Sequence, residues 1–271
     1  MNYIAPQTFR EWHPIGIYKS IDKLKPYKFQ LGPLPLILWF SLNNKPNTMI
    51  NNCNHLGNSL NKAKIKNGCL ICPYHYNSYN ETDNFGTTQI SNGLIWWSYR
   101  SNEKQPYIPI KTNNKEIYNF KLDINIDLIT FILNLLSIKN NKYIWNLKKK
   151  QLLIKTDNER IIYKYPYRLI INNYKNKYTY EISILPLSIN KLRLFITYYN
   201  QLLFPIIYLR LLKEKNKFEN DITTNNLNIK NYFMFKKGKL EYLEKIYKLY
   251  ENYMFLNDYT VNQFIINKNY Y

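Results

Sequence analysis

The sequence predicts a mainly β chain in two parts, an all-β first domain and an α+β second domain, and three observations predict it. Over roughly the first 110 residues, short apolar runs such as 34–40 and 93–99 are separated by clusters of Pro, Asn and Gly. Strands and turns are punctuated in that way. From 143 to 200 the composition is again β-rich, in six runs with short polar breaks at 156–159 and 172–177. Helical patterns flank that region on both sides.

Pro106 and Pro109 mark a linker, so the expected domains are 1–112 and 113–271. The second domain is expected to open on a helix over 123–138, which is apolar and long enough. Strands over 143–147, 151–155, 160–165, 167–173, 178–185 and 191–199 follow as antiparallel hairpins. A helix over 202–215 comes next, then a closing helix from 240 to about 255. In the closing helix Leu240, Leu243, Ile246, Leu249 and Met254 fall mainly on one face. The Asn-rich stretch 220–231 reads as a loop, and the Lys148–Lys149–Lys150 run as a hairpin edge.

Composition limits the function classes. With 45 % hydrophobic and 17 % aromatic residues the chain is no disordered polypeptide. Heavy use of Asn, Lys, Ile and Tyr beside only 7 Gly is what an AT-rich genome favours. That bias competes with function as the source of the +20 net charge. Read functionally, the charge fits an acidic redox protein as partner. Nucleic acid or an anionic membrane surface are the other anionic partner classes, though no localised motif supports them. No signal peptide or spanning helix is expected: 128–138 and 202–212 are shorter than a bilayer needs, and the second contains Pro205 and Arg210. Three cysteines give no disulfide framework, so the expected setting is soluble, cytoplasmic and reducing.

The informative segment is Cys53-Asn54-His55-Leu56-Gly57, followed by Cys72-Pro73-Tyr74-His75. As a pattern it is C-x-H, sixteen residues, then C-x-x-H. A [2Fe–2S] unit with two thiolates on one iron and two neutral imidazoles on the other needs such a set, one of each kind from each of two loops. Gly57 and Pro73 suit the tight turns that aim the ligands. A Cys₂His₂ zinc site uses the same residue types, but zinc motifs usually open with C-x₂₋₄-C and close with H-x₃₋₅-H. Four unrelated loop residues are the remaining reading.

The segment resembles the Rieske domain of the Rieske non-haem iron oxygenases, especially the group with pheophorbide a oxygenase and the demethylase-type enzymes. Trp12-His13-Pro14-Ile15-Gly16, Leu34-Pro35-Leu36-Ile37-Leu38-Trp39, Asn67-Gly68-Cys69-Leu70-Ile71 and Gly93-Leu94-Ile95-Trp96-Trp97 extend the likeness over roughly residues 10–110. Tyr76 stands where that family usually has Gly. Cytochrome-bc-type Rieske proteins are less similar, since they add a Cys to each loop for a disulfide and here Gly57 is followed by Asn58. Cys69 is read as an unpaired strand residue.

The resemblance implies an antiparallel β Rieske domain, then a helix-grip domain of curved antiparallel sheet and helices. It also implies one [2Fe–2S] cluster held by Cys53, His55, Cys72 and His75. In the oxygenases the second domain holds a mononuclear iron on two helix histidines and a carboxylate. The corresponding stretch here is 123–135, where Asp127 matches the family's Asp while Thr130 and Leu135 replace the histidines. No histidine follows His75. A standard triad is therefore excluded, no mononuclear iron is expected, and no catalytic residue is assigned. Asp221 reads as a cap or loop acid rather than a third ligand.

Whether the chain is an enzyme stays open at this point. The leading expectation is a protein that transfers single electrons to or from a redox partner. One alternative is an oxygenase with an atypical iron site. The other is a ligand- or nucleic-acid-binding protein with a structural cluster. Related oxygenases are often trimers, which makes a homo-oligomer a further expectation.

Overall fold

The computed structural model describes residues 10–99 apart from 33, then 116–126, 142–146, 151–155, 157–164, 167–188, 191–199 and 203–224, with single positions 106, 128 and 131. The chain divides into two compact units, one built on Met1–Lys111 and the other on Thr112–Glu251.

The first unit is a set of small antiparallel sheets. Strands β1 (His13–Ile17), β8 (Thr87–Ser91) and β9 (Leu94–Ser98) form one, in the order β1-β9-β8. Strands β2 (Tyr27–Leu31), β3 (Leu34–Phe40) and β4 (Pro46–Ile50) form the second. The third consists of β5 (Lys64–Lys66), β6 (Cys69–Ile71) and β7 (Ser78–Tyr79). Strand β3 is buried almost throughout, which is why 34–40 reads as a continuous apolar run rather than an alternating one. Trp39 and Trp97 are fully buried. Two hairpins turn on Asn-Gly pairs with both residues left-handed, Asn67–Gly68 (φ 51° and 73°) and Asn92–Gly93 (φ 51° and 72°). A two-residue turn of the I′ type requires that conformation and matches the strand twist.

The second unit is a seven-stranded antiparallel sheet in the order β10-β16-β15-β14-β13-β12-β11. Its members are β10 (Tyr118–Ile124), β11 (Lys142–Asn146), β12 (Gln151–Lys155), β13 (Glu159–Lys164), β14 (Arg168–Asn173), β15 (Tyr178–Ser188) and β16 (Lys191–Tyr198). Strands β11 to β16 meander, while β10 returns to the far edge beside β16. One face packs against helix α1 (Phe204–Thr224): Ile161, Tyr163, Leu169, Ile171, Ile182, Ile184, Leu194 and Ile196 share a core with Ile207 and Leu211.

Two expectations need correction. A helix was expected from 123, but 118–124 is strand β10, paired in register with β16 from Tyr118↔Tyr198 to Ile124↔Leu192. Helix α1 runs to Thr224, so Asp221 lies within its last turn rather than in a loop. Strand β15 also continues past 185 through Pro186, at a bulge that offsets the register between Pro186 and Ser188. Of the rest of the expected first helix, 125–126 form a bend, while Leu128 and Phe131 are helical and buried in the same core. Its other positions, the closing helix over 240–255 and the Lys148–Lys150 edge lie outside the described residues. Among the described residues no helix is long and apolar enough to cross a membrane.

A bidentate ion pair clamps α1 to the sheet, with Arg210 donating to both carboxylate oxygens of Glu159 and Asn173 Nδ2 donating to Glu159 Oε1 at 2.8 Å. Burial pushes the Glu159 pKa up, but the bonds from Arg210 and Asn173 outweigh it and hold the carboxyl below its usual range. A depressed carboxyl contributes stability above its unfolded pKa and loses it as pH falls through the folded value. Glu159→Gln is therefore expected to cost about 2 kcal/mol near neutral pH, the size of a charge-assisted bond. That difference from wild type should begin to shrink as pH falls below the ordinary glutamate pKa and vanish only below the depressed folded-state value, read by urea unfolding across pH.

Candidate cluster site

The two ligand-bearing loops have the same backbone plan. The first leaves β4 and the second joins β6 to β7. In the first, Cys53 N–H donates to Asn58 C=O at 2.7 Å and Gly57 is left-handed (φ 69°). In the second, Cys72 N–H donates to Asn77 C=O at 2.9 Å and Tyr76 is left-handed (φ 59°). Each cysteine thus closes a loop onto the residue five positions on, over a left-handed residue four positions on. Glycine accepts that conformation without strain, whereas a residue with a Cβ does not.

Tyr76 is 77 % exposed, so its ring gives little packing in return for the strained backbone. Tyr76→Gly is expected to stabilise the chain by about 0.5–1 kcal/mol, the strain relieved less the greater chain entropy of Gly. A higher urea midpoint with unchanged slope is the readout.

The donors sort by burial. Cys53 and Cys72 are buried, while His55 and His75 are exposed at the loop tips. The two imidazoles meet edge to face, with ring centroids 4.9 Å apart and planes at 88°. The Cys53 thiol is hydrogen-bonded by Cys72 and receives the backbone N–H groups of His55 and Leu56. Burial raises its pKa, but those bonds and the one from Tyr79 prevail and lower it. Thiols pair with each other, and imidazoles with each other. Among the described residues no three His, Cys, Asp or Glu side chains converge on a single ion. Pairs are what two irons with two protein donors each require, and soft thiolates beside imidazoles are a donor set that suits iron–sulfur chemistry.

Tyr79 escaped the sequence reading. Its hydroxyl lies 3.0 Å from Cys53 Sγ and accepts the Asn54 N–H at 3.0 Å. Once Cys53 is a thiolate, only the phenol can supply the proton of that contact. Burial and the neighbouring Cys53 raise the Tyr79 pKa, so the phenol keeps that proton. No local signal marks it, since it sits on the two-residue strand β7 and the chain has 27 tyrosines.

His13, the third histidine, is fully buried on β1 beside Trp97, with ring centroids 6.4 Å apart. Cys69 is half-buried on β6 and unbridged. Asp127, Thr130 and Leu135 lie outside the described residues.

Residues 11–92 match the family described as the Rieske [2Fe–2S] domain. This chain carries a Rieske domain. Such a domain implies a [2Fe–2S] cluster. The domain is also similar to aminopyrrolnitrin oxygenase PrnD of Pseudomonas fluorescens, with 36 % identity over 59 residues, 22 % of this chain and 16 % of that protein. The match thus spans about a sixth of that relative's length.

Among solved structures, dicamba monooxygenase bound to dicamba superposes with a TM-score of 0.65 at 12 % identity, covering 91 % of this chain and 99 % of that one. NdmA of Pseudomonas putida CBB5 superposes with a TM-score of 0.62 at 14 % identity, over 78 % and 81 % of the two chains. At those identities the likeness is one of fold. The Rieske domain is followed by the antiparallel sheet and helix of a second domain, as expected from the sequence.

Proposed function

We propose that the chain is a Rieske iron–sulfur protein that transfers single electrons, with Cys53, His55, Cys72 and His75 as the cluster ligands. The observation that carries this reading is the division of the four donors into a buried, hydrogen-bonded thiol pair and an exposed imidazole pair 4.9 Å apart. A bound [2Fe–2S] cluster supplies a one-electron couple, at a higher potential with imidazole ligands than with thiolates alone. The buried cysteines keep water from the sulfur side. His55 and His75 place their edges at the surface, where a redox partner would dock. The +20 charge fits an acidic partner, with fast and salt-sensitive association.

We extend the proposal to the second unit as a helix-grip domain without the oxygenase iron histidines, because no histidine follows His75. Its part in electron transfer is that of a scaffold or docking surface, and we expect a soluble, cytoplasmic protein.

The test is iron and sulfide analysis with EPR on anaerobically purified protein, before and after dithionite. About two irons per chain and a Rieske-type signal only after reduction are expected. Zinc with no such signal would overturn the proposal, and a third iron would favour the oxygenase reading.

The hydroxyl of Tyr79 favours the more negatively charged reduced state, because hydrogen bonds to the sulfurs set the potential. Tyr79→Phe is expected to lower the reduction potential by roughly 45 mV, equivalent to about 1 kcal/mol for one electron. Film voltammetry measures it directly. An unchanged potential would show that the phenol is only packing.

A further inference from the structure

A second polar site lies wholly within the second unit, and it stands independently of the cluster. At the end of the sheet where β14 turns into β15, a cavity of about 420 Å³ is lined by Arg160, Asn172, Asn173, Tyr174, Lys177 and Thr179, among others. Strand register explains the gathering. Arg160 pairs with Asn172 across β13–β14, and Asn172 with Thr179 across β14–β15, so the three occupy one row on one face. Lys177 joins them from the turn.

Charge at this spot is unbalanced. Neither Arg160 nor Lys177 has an ion-pair partner among the described residues. Arg160 Nε is buried there with no hydrogen-bond acceptor. The neighbouring carboxylate, Glu159, belongs to the opposite face of β13 and is taken up by Arg210 and Asn173. Among the described residues no acidic side chain lines the cavity. The amide groups add direction. Thr179 Oγ1 donates to Asn172 Oδ1 at 2.8 Å, so the group Asn172 can offer beside the cavity is its NH₂ donor. Lys177 holds a left-handed backbone (φ 51°), a conformation that Gly or Asn would take more easily. Strain of that kind is often retained where the side chain is needed.

We propose that this cavity binds a phosphate monoester, with Arg160 and Lys177 contacting the phosphate and Asn172 donating to it. Two unopposed cations match a phosphate dianion better than a single carboxylate, and a guanidinium fork suits its oxygens. The cavity is larger than a phosphate group, so it also takes the organic part of the ester, with the exposed Tyr174 ring as one wall.

The test is calorimetric titration of the full chain with phenyl phosphate, inorganic phosphate and benzoate. Arg160→Gln and Lys177→Gly are compared with the distant control Lys64→Gln. One saturable site is expected, tightest for phenyl phosphate, weakened about tenfold or more by either cavity substitution and unchanged in the control. Lys177→Gly relieves the left-handed strain, so it folds and decides the matter even if Arg160→Gln does not. Three results overturn the proposal. They are no saturable binding up to about 10 mM, equal weakening by all three variants (which means diffuse charge), or benzoate binding as tightly as phenyl phosphate.

Discussion

Cys72→Ser will yield protein without the reduced-state EPR signal and with iron falling towards zero, while its far-UV circular dichroism stays that of the wild type. Cys72 is fully buried, and its backbone N–H is already spent on Asn77. Serine fits the space and keeps the loop, so the change is confined to the donor atom. A hydroxyl is a poor ligand for iron–sulfur chemistry, and it also removes the thiol that hydrogen-bonds Cys53. His75→Ala should act similarly on the signal from the exposed side of the site. Retention of a full iron complement in Cys72→Ser would remove this residue from the ligand set.

The second large effect belongs to the sheet of the second unit. Glu181 on β15 accepts from Arg168 on β14 at 2.7 Å and from the Tyr199 hydroxyl at 2.9 Å. The ion pair is nearly sealed from water, with side-chain exposures of 12 % and 3 %. Burial dominates both ends, raising the Glu181 pKa and lowering that of Arg168 to about 10. Desolvation thus offsets most of the attraction, and the pair adds little net stability. Removing one partner is a different matter. In Glu181→Gln the amide still accepts from Tyr199, but the negative charge facing Arg168 is gone. A loss of about 3 kcal/mol in unfolding free energy is expected, and much of it should return in the double variant Glu181→Leu/Arg168→Met. A double variant as unstable as the single one would mean that the pair contributes net stability.

The parts of the fold legible in the sequence are those where one local rule acts alone. Continuous apolar runs gave β3 and β9, and the polar breaks at 156–159 and 172–177 mark two hairpin turns, although Glu159 already belongs to β13 and Asn172 and Asn173 still belong to β14. The cluster segment was readable because its residue types are rare in this chain, which has three Cys and three His. Strand β10 was missed although it alternates strictly, with Tyr118, Phe120, Leu122 and Ile124 between Asn119, Lys121 and Asp123. The apolar stretch beginning at 123 masked that period. The partners that fix it are far away in sequence: Thr197 donates to Asn119, and Arg193 grips Asp123 with two bonds of 2.7 and 2.8 Å. Tyr79 and the Arg160 cavity were illegible for the same reason. Each depends on which strands become neighbours, and spacing along the chain does not carry that.

The two matched loops bear on how the site is assembled. The bonds that shape them, Cys53 to Asn58 and Cys72 to Asn77, each close within five residues and involve no donor side chain. The Asn67–Gly68 hairpin, equally local, holds β5 against β6 between the loops. Bonds of that kind need no inorganic atom, so the receptacle is expected to form ahead of the cluster. Maturation becomes insertion into a folded pocket, unlike a zinc finger, whose chain is unfolded until its ion binds. An apo form should persist as a folded protein able to wait for its cluster, and the exposed His55 and His75 mark the side from which a delivery protein gains access.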